Sequence, residues 1–220
     1  MAHGTEQASR KRGRPRGADD AVGRERVIET ATRLFLQHGY ASTSLKMIAQ
    51  ELNISAPALY WYFPSKDEIY SVVIESAMRD FVSFVGDSLT AEDPETRLGQ
   101  IVRAHVTWQL RRSDAARVFA VAMGVRALVH ELPPDRVEEI VTLERGYLND
   151  VRKVLQQGCD EGVFHVADTT TTAFAIMTMC EYVHTWYRPG GALSIEAVAN
   201  RYEQLALSMV GATPATLRRA

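Results

Sequence analysis

The stretch TSLKMIAQELNISAPALYWYFPSKDE, residues 43–68, decides the fold of this chain. Thr43 or Ser44 can cap a short helix, because a hydroxyl at that position accepts a hydrogen bond from an otherwise unpaired backbone N–H. The apolar residues of that helix share one face: Leu45, Ile48, Ala49 and Leu52. A three-residue turn around Asn53 follows, and Ser55 can cap the next short helix. Two short helices joined by a tight turn predict a helix-turn-helix.

The segments on either side of this stretch are predicted to be helical as well. A preceding helix opens near Asp19 and Asp20, whose carboxylates suit a positive helix N-terminus, and it ends at Gly39. Ser65, with Glu68 three residues later, has the capping-box spacing that starts a longer helix. That helix runs to about residue 89, and the later ones cover about 95–112, 114–131, 134–161, 168–187 and 195–211. No alternating strand of useful length is present, so the predicted fold class is all-α.

A helix-turn-helix is suited to DNA, because its second helix fits the major groove while helix caps and N-terminal amides meet phosphates. Ten residues of the motif are predicted to contact DNA: Thr43, Ser44, Lys46, Ser55, Ala56, Pro57, Ala58, Tyr60, Trp61 and Lys66. Within this set Tyr60 is expected to bond a phosphate, and Lys66 lies where a phosphate clamp is expected. Since no Arg, Asn or Gln lies between Ser55 and Tyr62, base readout is expected from apolar contacts with thymine methyl groups and from DNA shape.

The core of this motif, LYWYFPSK at residues 59–66, resembles the DNA-binding domain of TetR-family transcriptional regulators. The resemblance is strong over about 22–70 and extends to the whole chain in length and helix number. Asn53 stands where the family often has Gly, and Asn tolerates the same left-handed conformation. The resemblance implies an all-α homodimer that pairs through its last two long helices. It also implies that a ligand bound in the C-terminal domain moves the helix from Lys66 onward and releases DNA.

The segment WYRPGGALS, residues 186–194, is similar to an actinobacterial subgroup that includes repressors of fatty-acid and steroid catabolism. Some members of that subgroup respond to acyl-CoA thioesters. A CoA phosphate requires Arg or Lys near the pocket. The predicted helix over 169–187 contains neither, which argues against a CoA ligand and leaves the effector open.

Residues 1–18 carry no large apolar side chain and are predicted to form a disordered basic arm. Five Lys and Arg residues lie between positions 10 and 16, and Arg12, Arg14 and Arg16 are the predicted DNA contacts. Gly13-Arg14-Pro15 resembles the core of an AT-hook, whose extended shape suits a narrow minor groove. General phosphate contact and true minor-groove readout remain two alternatives, beside a solvated tail without a role.

The net charge of −2 conceals an asymmetry along the chain. Residues 1–66 carry ten Lys and Arg against six Asp and Glu, whereas residues 67–220 carry fifteen against twenty-one. This division supports a nucleic-acid-facing N-terminal end. The predicted organisation is an arm over 1–18, a helix-turn-helix domain over 19–66, and a ligand-binding and dimerisation domain over 67–220.

Several other classes of protein are disfavoured by the composition. There is no run of about 18 apolar residues that would span a membrane and no apolar core of a secretory signal. The two cysteines, Cys159 and Cys180, form no disulfide framework, so a reducing cytoplasm is expected. Nucleophile elbows, phosphate loops and metal motifs are absent from the sequence, so neither an enzyme nor a cofactor is predicted.

Polar groups on apolar helix stripes are the candidates for effector binding. The predicted ligand-binding residues are His105, Trp108, Phe119, Met123, Glu144, Met177, Glu181 and His184. The alternative is that the charged members pair internally, for example Glu181 with an Arg, and that the others are plain core. Cys180 and His184 lie one helical turn apart and could hold a soft metal, but no supporting cluster accompanies them.

The sequence therefore predicts a one-component repressor that binds a palindromic double-stranded DNA operator as a homodimer. A small and largely apolar effector is expected to release it. Two rival functions are a small helical enzyme and an architectural DNA-binding protein that uses the arm alone. An activator role stays open, and the effector, the operator and the regulated genes are not specified.

Overall fold

The computed structural model describes residues 23–111 and 134–212, which are helical and contain no β-strand. Its helices are α1 (Arg24–His38), α2 (Leu45–Glu51), α3 (Ala56–Tyr60), α4 (Lys66–Asp87), α5 (Pro94–Arg111), α6 (Pro134–Asp160), α7 (Thr169–Glu181) and α8 (Ile195–Met209). The predicted all-α fold is confirmed. The predicted opening of the first helix near Asp19 and Asp20 is wrong, because α1 begins at Arg24 and Gly23 before it is extended, with φ of −78° and ψ of 161°. The arm and the helix predicted over 114–131 lie outside the described residues.

Helices α1 to α3 and the first turns of α4 surround one part of the core. Phe35, Tyr40 and Tyr70 form an aromatic cluster, with ring centroids 5.0 Å apart for Phe35 and Tyr70 and 4.4 Å apart for Tyr40 and Tyr70. Phe63 is fully buried, and the guanidinium of Arg24 lies 4.2 Å from the centre of its ring. This cluster fixes the two short helices against α1 and α4.

The long helices α4 to α8 form the C-terminal part of the molecule. Helices α5 and α8 pack closely along their length. At Gly99 an added Cβ would overlap the carboxylate end of Glu203, and Glu203 forms an ion pair with Arg103. The missing side chain at Gly99 therefore leaves the room that this ion pair occupies. None of the described helices is both long and apolar enough to cross a membrane.

The helix predicted over 168–187 is shorter in the structure and is not buried on all sides. The α-helix ends at Glu181 and continues as a 3₁₀ turn, Tyr182–Thr185. Phe174, Tyr182 and Trp186 are 47%, 58% and 48% exposed in the single chain. One side of this segment therefore packs on α5 and α6, while the other side faces outward.

Candidate functional site

The two short helices are held in place by serine caps and a left-handed turn. The side chain of Ser44 accepts a hydrogen bond from Met47 N at 3.2 Å, and that of Ser55 accepts one from Ala58 N at the same distance. Asn53 between them has φ of 55°, the conformation that the sequence predicts for it. These local bonds set the angle at which α3 leaves α2.

The outer side of this motif is polar at its caps and aromatic at the end of α3. Seven of its predicted DNA contacts are exposed: Ser44, Lys46, Ser55, Ala56, Pro57, Tyr60 and Trp61. Tyr60 is 55% exposed and Trp61 is 82% exposed. Exposure of two large aromatic rings on one short helix is costly in water. This surface has the character of an interface.

Two of the predicted DNA contacts do not lie on that surface. Thr43 is 1% exposed, and its hydroxyl donates to the carbonyl oxygens of Leu34 and Gly39 at 3.2 and 2.8 Å. It caps the end of α1 internally and has no free group for a phosphate. Ala58 is 7% exposed, because it lies on the face of α3 that is turned toward the core.

Lys66, the predicted phosphate clamp, is half-buried and contacts Tyr40. Its Nζ donates to the carbonyl oxygen of Tyr40 at 2.9 Å and lies 4.0 Å from the centre of the Tyr40 ring. The hydroxyl of Tyr40 in turn donates to Asp67. The ammonium group thus joins the start of α4 to the loop after α1, and its phosphate contact stays a prediction. Arg12, Arg14 and Arg16 lie outside the described residues.

A second group of polar side chains lies inside the C-terminal part. His105 is 2% exposed, and its Nδ1 lies 3.1 Å from the hydroxyl of Tyr147. Burial lowers the pKa of His105 to about 3, so its ring is neutral at neutral pH. Trp108 is fully buried, and its Nε1 donates to Asp80 Oδ2 at 2.7 Å. Phe81 packs edge-on against these rings.

Of the remaining predicted effector residues, Met177 lies in the core, and Glu144 and Glu181 form a pair of neighbouring carboxylates. Met177 is 5% exposed, whereas Phe119 and Met123 lie outside the described residues. Glu181 is 8% exposed, and burial, together with the negative charge of Glu144, raises its pKa to about 7. The structure thus brings two carboxylates near each other, and among the described residues no Arg pairs with Glu181, the alternative that the sequence left open.

The side chain of His184 forms a hydrogen bond with the backbone. Its Nδ1 lies 2.8 Å from the carbonyl oxygen of Glu181, so this nitrogen carries the proton and donates. Cys180 is buried, and that burial raises the pKa of its thiol. Among the residues that the structure describes, no group of three or more metal-ligating side chains is present. The arrangement gives the Cys180–His184 metal hypothesis no support.

Sequence reasoning missed two residues of the inner group. Gln109 is fully buried and its amide has no hydrogen-bond partner in the described structure, while Tyr147 holds the ring of His105. The spacing of Gln109, one turn after His105 on an apolar stripe, was a usable signal. Tyr147 gave no such signal, since it is 42 residues away along the chain.

Comparison with known families assigns both parts of the chain. Residues 27–73 match the family described as "Bacterial regulatory proteins, tetR family". Residues 91–210 match the family described as "Tetracyclin repressor-like, C-terminal domain". Together the matches cover the helix-turn-helix and most of the helices that follow it.

Individual relatives agree with these matches. The HTH-type transcriptional repressor KstR2 of Rhodococcus jostii is 26% identical over an alignment of 198 residues that covers 88% of this chain and 95% of the relative. A TetR-family regulatory protein from Rhodococcus RHA1 has a TM-score of 0.78 at 24% identity, covering 86% of this chain and 97% of the other. PfmR, a TetR-family transcriptional regulator from Thermus thermophilus, has a TM-score of 0.72 at 28% identity, covering 83% and 97%.

Proposed function

The chain belongs to the TetR family of transcriptional regulators, and from that premise we propose that it is a repressor that binds a palindromic operator as a homodimer and is released by a small molecule. The family is one of regulators, not of enzymes. One relative of nearly the same length is named a repressor, which favours that role over activation.

The observation that carries DNA binding is the exposed surface of α3. Tyr60 and Trp61 lie at the end of α3, and the residues that cap α2 and α3, Ser44 and Ser55, are exposed as well. The side chains on this surface match the parts of an operator: hydroxyl groups for phosphates, and small apolar groups for thymine methyl groups. The arm would add salt-dependent attraction, because each phosphate contact releases counterions.

The direct test is selection of bound sequences from a random DNA library, followed by affinity measurement by fluorescence anisotropy. The wild type is expected to select an inverted repeat. Tyr60→Ala should weaken binding to all sequences alike. Deletion of residues 1–18 should lower affinity and its salt dependence while the sequence preference persists. Loss of all preference on that deletion would instead favour the architectural hypothesis, in which the arm alone binds DNA.

Homodimer formation is supported by exposed apolar side chains on the last helices. Five large side chains of these helices are between 44% and 58% exposed: Phe174, Tyr182, Trp186, Leu205 and Met209. Trp186 Nε1 donates to the hydroxyl of Tyr202 at 3.0 Å, and the two rings are stacked. Apolar patches of this kind on a soluble protein mark a contact with another surface. A second copy offers the same patch about a two-fold axis.

Sedimentation equilibrium tests the dimer. Leu205→Lys places a charge within the patch and is expected to yield monomers that lose operator affinity. Gln156→Lys, on the exposed side of α6, is the matched control and should remain dimeric. A dimer that survives Leu205→Lys would place the subunit contact elsewhere.

Effector release is proposed from the buried polar groups of the C-terminal domain. His105 and Trp108 contact Phe81 in the second half of α4. Helix α4 begins at Lys66 in the DNA-binding motif and ends beside α5. A molecule that enters there would act on α4 directly. Glu144, Met177, Glu181 and His184 are proposed as further lining residues, and a CoA thioester stays open as the effector. Operator titrations with and without added ligand test release.

A further inference from the structure

Helix α5 carries two buried polar side chains, one turn apart, with side-chain atoms that lack hydrogen-bond partners. His105 is 2% exposed and Gln109 is fully buried. In the described structure, neither His105 Nε2 nor the Nε2 and Oε1 atoms of Gln109 form a hydrogen bond. Residues four apart on a helix lie on the same face, so the two side chains are on one side of α5.

Leaving these atoms unpaired is costly. Each buried donor or acceptor without a partner costs about 1–3 kcal/mol, against a total stability of about 5–15 kcal/mol for a typical domain. Apolar side chains of the same shape would avoid that cost. A bound molecule or ordered water must therefore supply the missing partners in the working protein.

Aromatic rings pack against the ring of His105 and against one another. The ring of Phe81 lies 4.7 Å from that of His105, 5.1 Å from that of Trp108 and 4.8 Å from that of Tyr147. Trp108 Nε1 already donates to Asp80, and Tyr147 already bonds His105. The surroundings thus favour an apolar molecule, whose polar end meets His105 and Gln109.

The polar end must be uncharged. Burial keeps His105 neutral, since its pKa falls to about 3 through desolvation alone. Gln109 is neutral at every pH. A carboxylate would lose its hydration here without a cationic partner, and an ammonium group would compete with Trp108 for the carboxylate of Asp80, each at a cost of several kcal/mol. A carbonyl or hydroxyl oxygen needs only hydrogen bonds.

We propose that His105 and Gln109 bind the uncharged oxygen of a largely apolar effector, a ketone, ester, thioester or alcohol. This inference rests on the ligand-responsive function proposed above. The Gln109 amide can donate to a carbonyl or both donate to and accept from a hydroxyl. His105 is oriented by Tyr147, so its Nε2 offers a second hydrogen bond from a fixed direction.

The test uses ten-carbon probes that differ only in their polar end: 2-decanone, 1-decanol, decanoate and decylammonium. Binding is measured by thermal shift and calorimetry on the full-length wild type. The ketone and the alcohol are expected to bind at least about tenfold more tightly than the two ions, which corresponds to about 1.4 kcal/mol. Equal or tighter binding of decanoate, or no binding of any probe, would overturn the proposal.

Two variants on α5 separate binding from folding. Gln109→Met keeps the length and removes the unpaired amide, so the unliganded protein should melt at the same or a higher temperature while ketone affinity falls about tenfold. Gln100→Met is the matched control. Its amide bonds the backbone N–H of Thr90 and Ala91 and the Thr90 hydroxyl, so this variant should melt lower and bind ketone normally.

The two proposals can fail separately. If Gln109→Met melts as low as Gln100→Met, or binds the ketone as well as the wild type, the amide is structural or satisfied by water and the inference is wrong. If the ketone binds through Gln109 but operator affinity is unchanged when it does, the inference stands and effector release is wrong.

Discussion

Nζ of Lys66 donates a hydrogen bond to the carbonyl oxygen of Tyr40 at 2.9 Å and lies over the ring of the same residue at 4.0 Å. The bond joins the first residue of α4 to the loop that precedes α2. Movement of α4 would therefore be transmitted to the DNA-binding helices through this contact. The ammonium group of Lys66 is engaged inside the protein, whereas Lys46 is exposed.

Lys66 and Lys46 are expected to differ in how their loss changes the salt dependence of DNA binding. Lys66→Gln should lower the melting temperature and the operator affinity, but leave the slope of log affinity against log salt unchanged. Lys46→Gln should reduce that slope by about 0.9, the value for one phosphate contact. Anisotropy titrations between low and moderate salt measure both. A reduced slope for Lys66→Gln would mean that the ammonium group of Lys66 contacts a DNA phosphate.

The exposed first turn of α3 is expected to set sequence preference. Ala56→Asn places an amide where only a methyl group was available, and amides pair with adenine in the major groove. The preferred base at one position of each half-site should change, with about 1–3 kcal/mol of discrimination. Tyr60→Phe is the control, since loss of a phosphate bond lowers affinity for every sequence alike. Selection from a random library reads out both, and an unchanged preference in Ala56→Asn would move the groove contact away from α3.

Local signals made the helix-turn-helix predictable from the sequence. Ser44, Ser55 and Asn53 act on their own backbone within three residues, so their roles follow from spacing alone. The position of Lys66 depends on the carbonyl of Tyr40, 26 residues away, and no spacing rule reports it. The burial of Thr43 was not predicted either, because either Thr43 or Ser44 could have capped α2, and Thr43 instead bonds the end of α1.

The C-terminal part was less predictable, because its polar groups depend on long-range packing. Apolar periodicity located α5 and α6 correctly, but it gave no indication that Tyr147 would meet His105. The apolar sequence of α7 predicts burial on all sides, and in the single chain Phe174 and Tyr182 are exposed. A hydrophobic pattern indicates that a helix face is buried. It does not indicate whether the same chain or a second molecule buries that face.

Glu181 is expected to make stability depend on pH. Its pKa is raised from 4.5 to about 7, so the folded chain keeps a proton that the unfolded chain releases between these values. The contribution of the group to stability is therefore full below about pH 4.5 and is lost as the pH rises through about 7. Glu181→Gln should remove this loss, so the variant should gain melting temperature over the wild type at about pH 8 more than at about pH 5.

The exposed Glu138→Gln serves as the control for that comparison and should follow the wild-type pH profile. Calorimetric melting of the three proteins across the pH range distinguishes the outcomes. If Glu181→Gln and the wild type lose the same melting temperature on going from about pH 5 to about pH 8, then Glu181 is ionised throughout and Glu144 does not repel it.

Two glycines of α6 provide a final test of the packing. An added Cβ at Gly158 would overlap the buried ring of Phe164, whereas one at Gly146 would meet nothing within 4 Å. Gly158→Ala should therefore lower the free energy of unfolding by about 1–3 kcal/mol, since the ring must move within a filled core. Gly146→Ala should raise it by about 0.5–1 kcal/mol, because alanine favours the helix over glycine. Denaturant unfolding measures both. Equal effects of the two substitutions would mean that Phe164 does not pack against the end of α6.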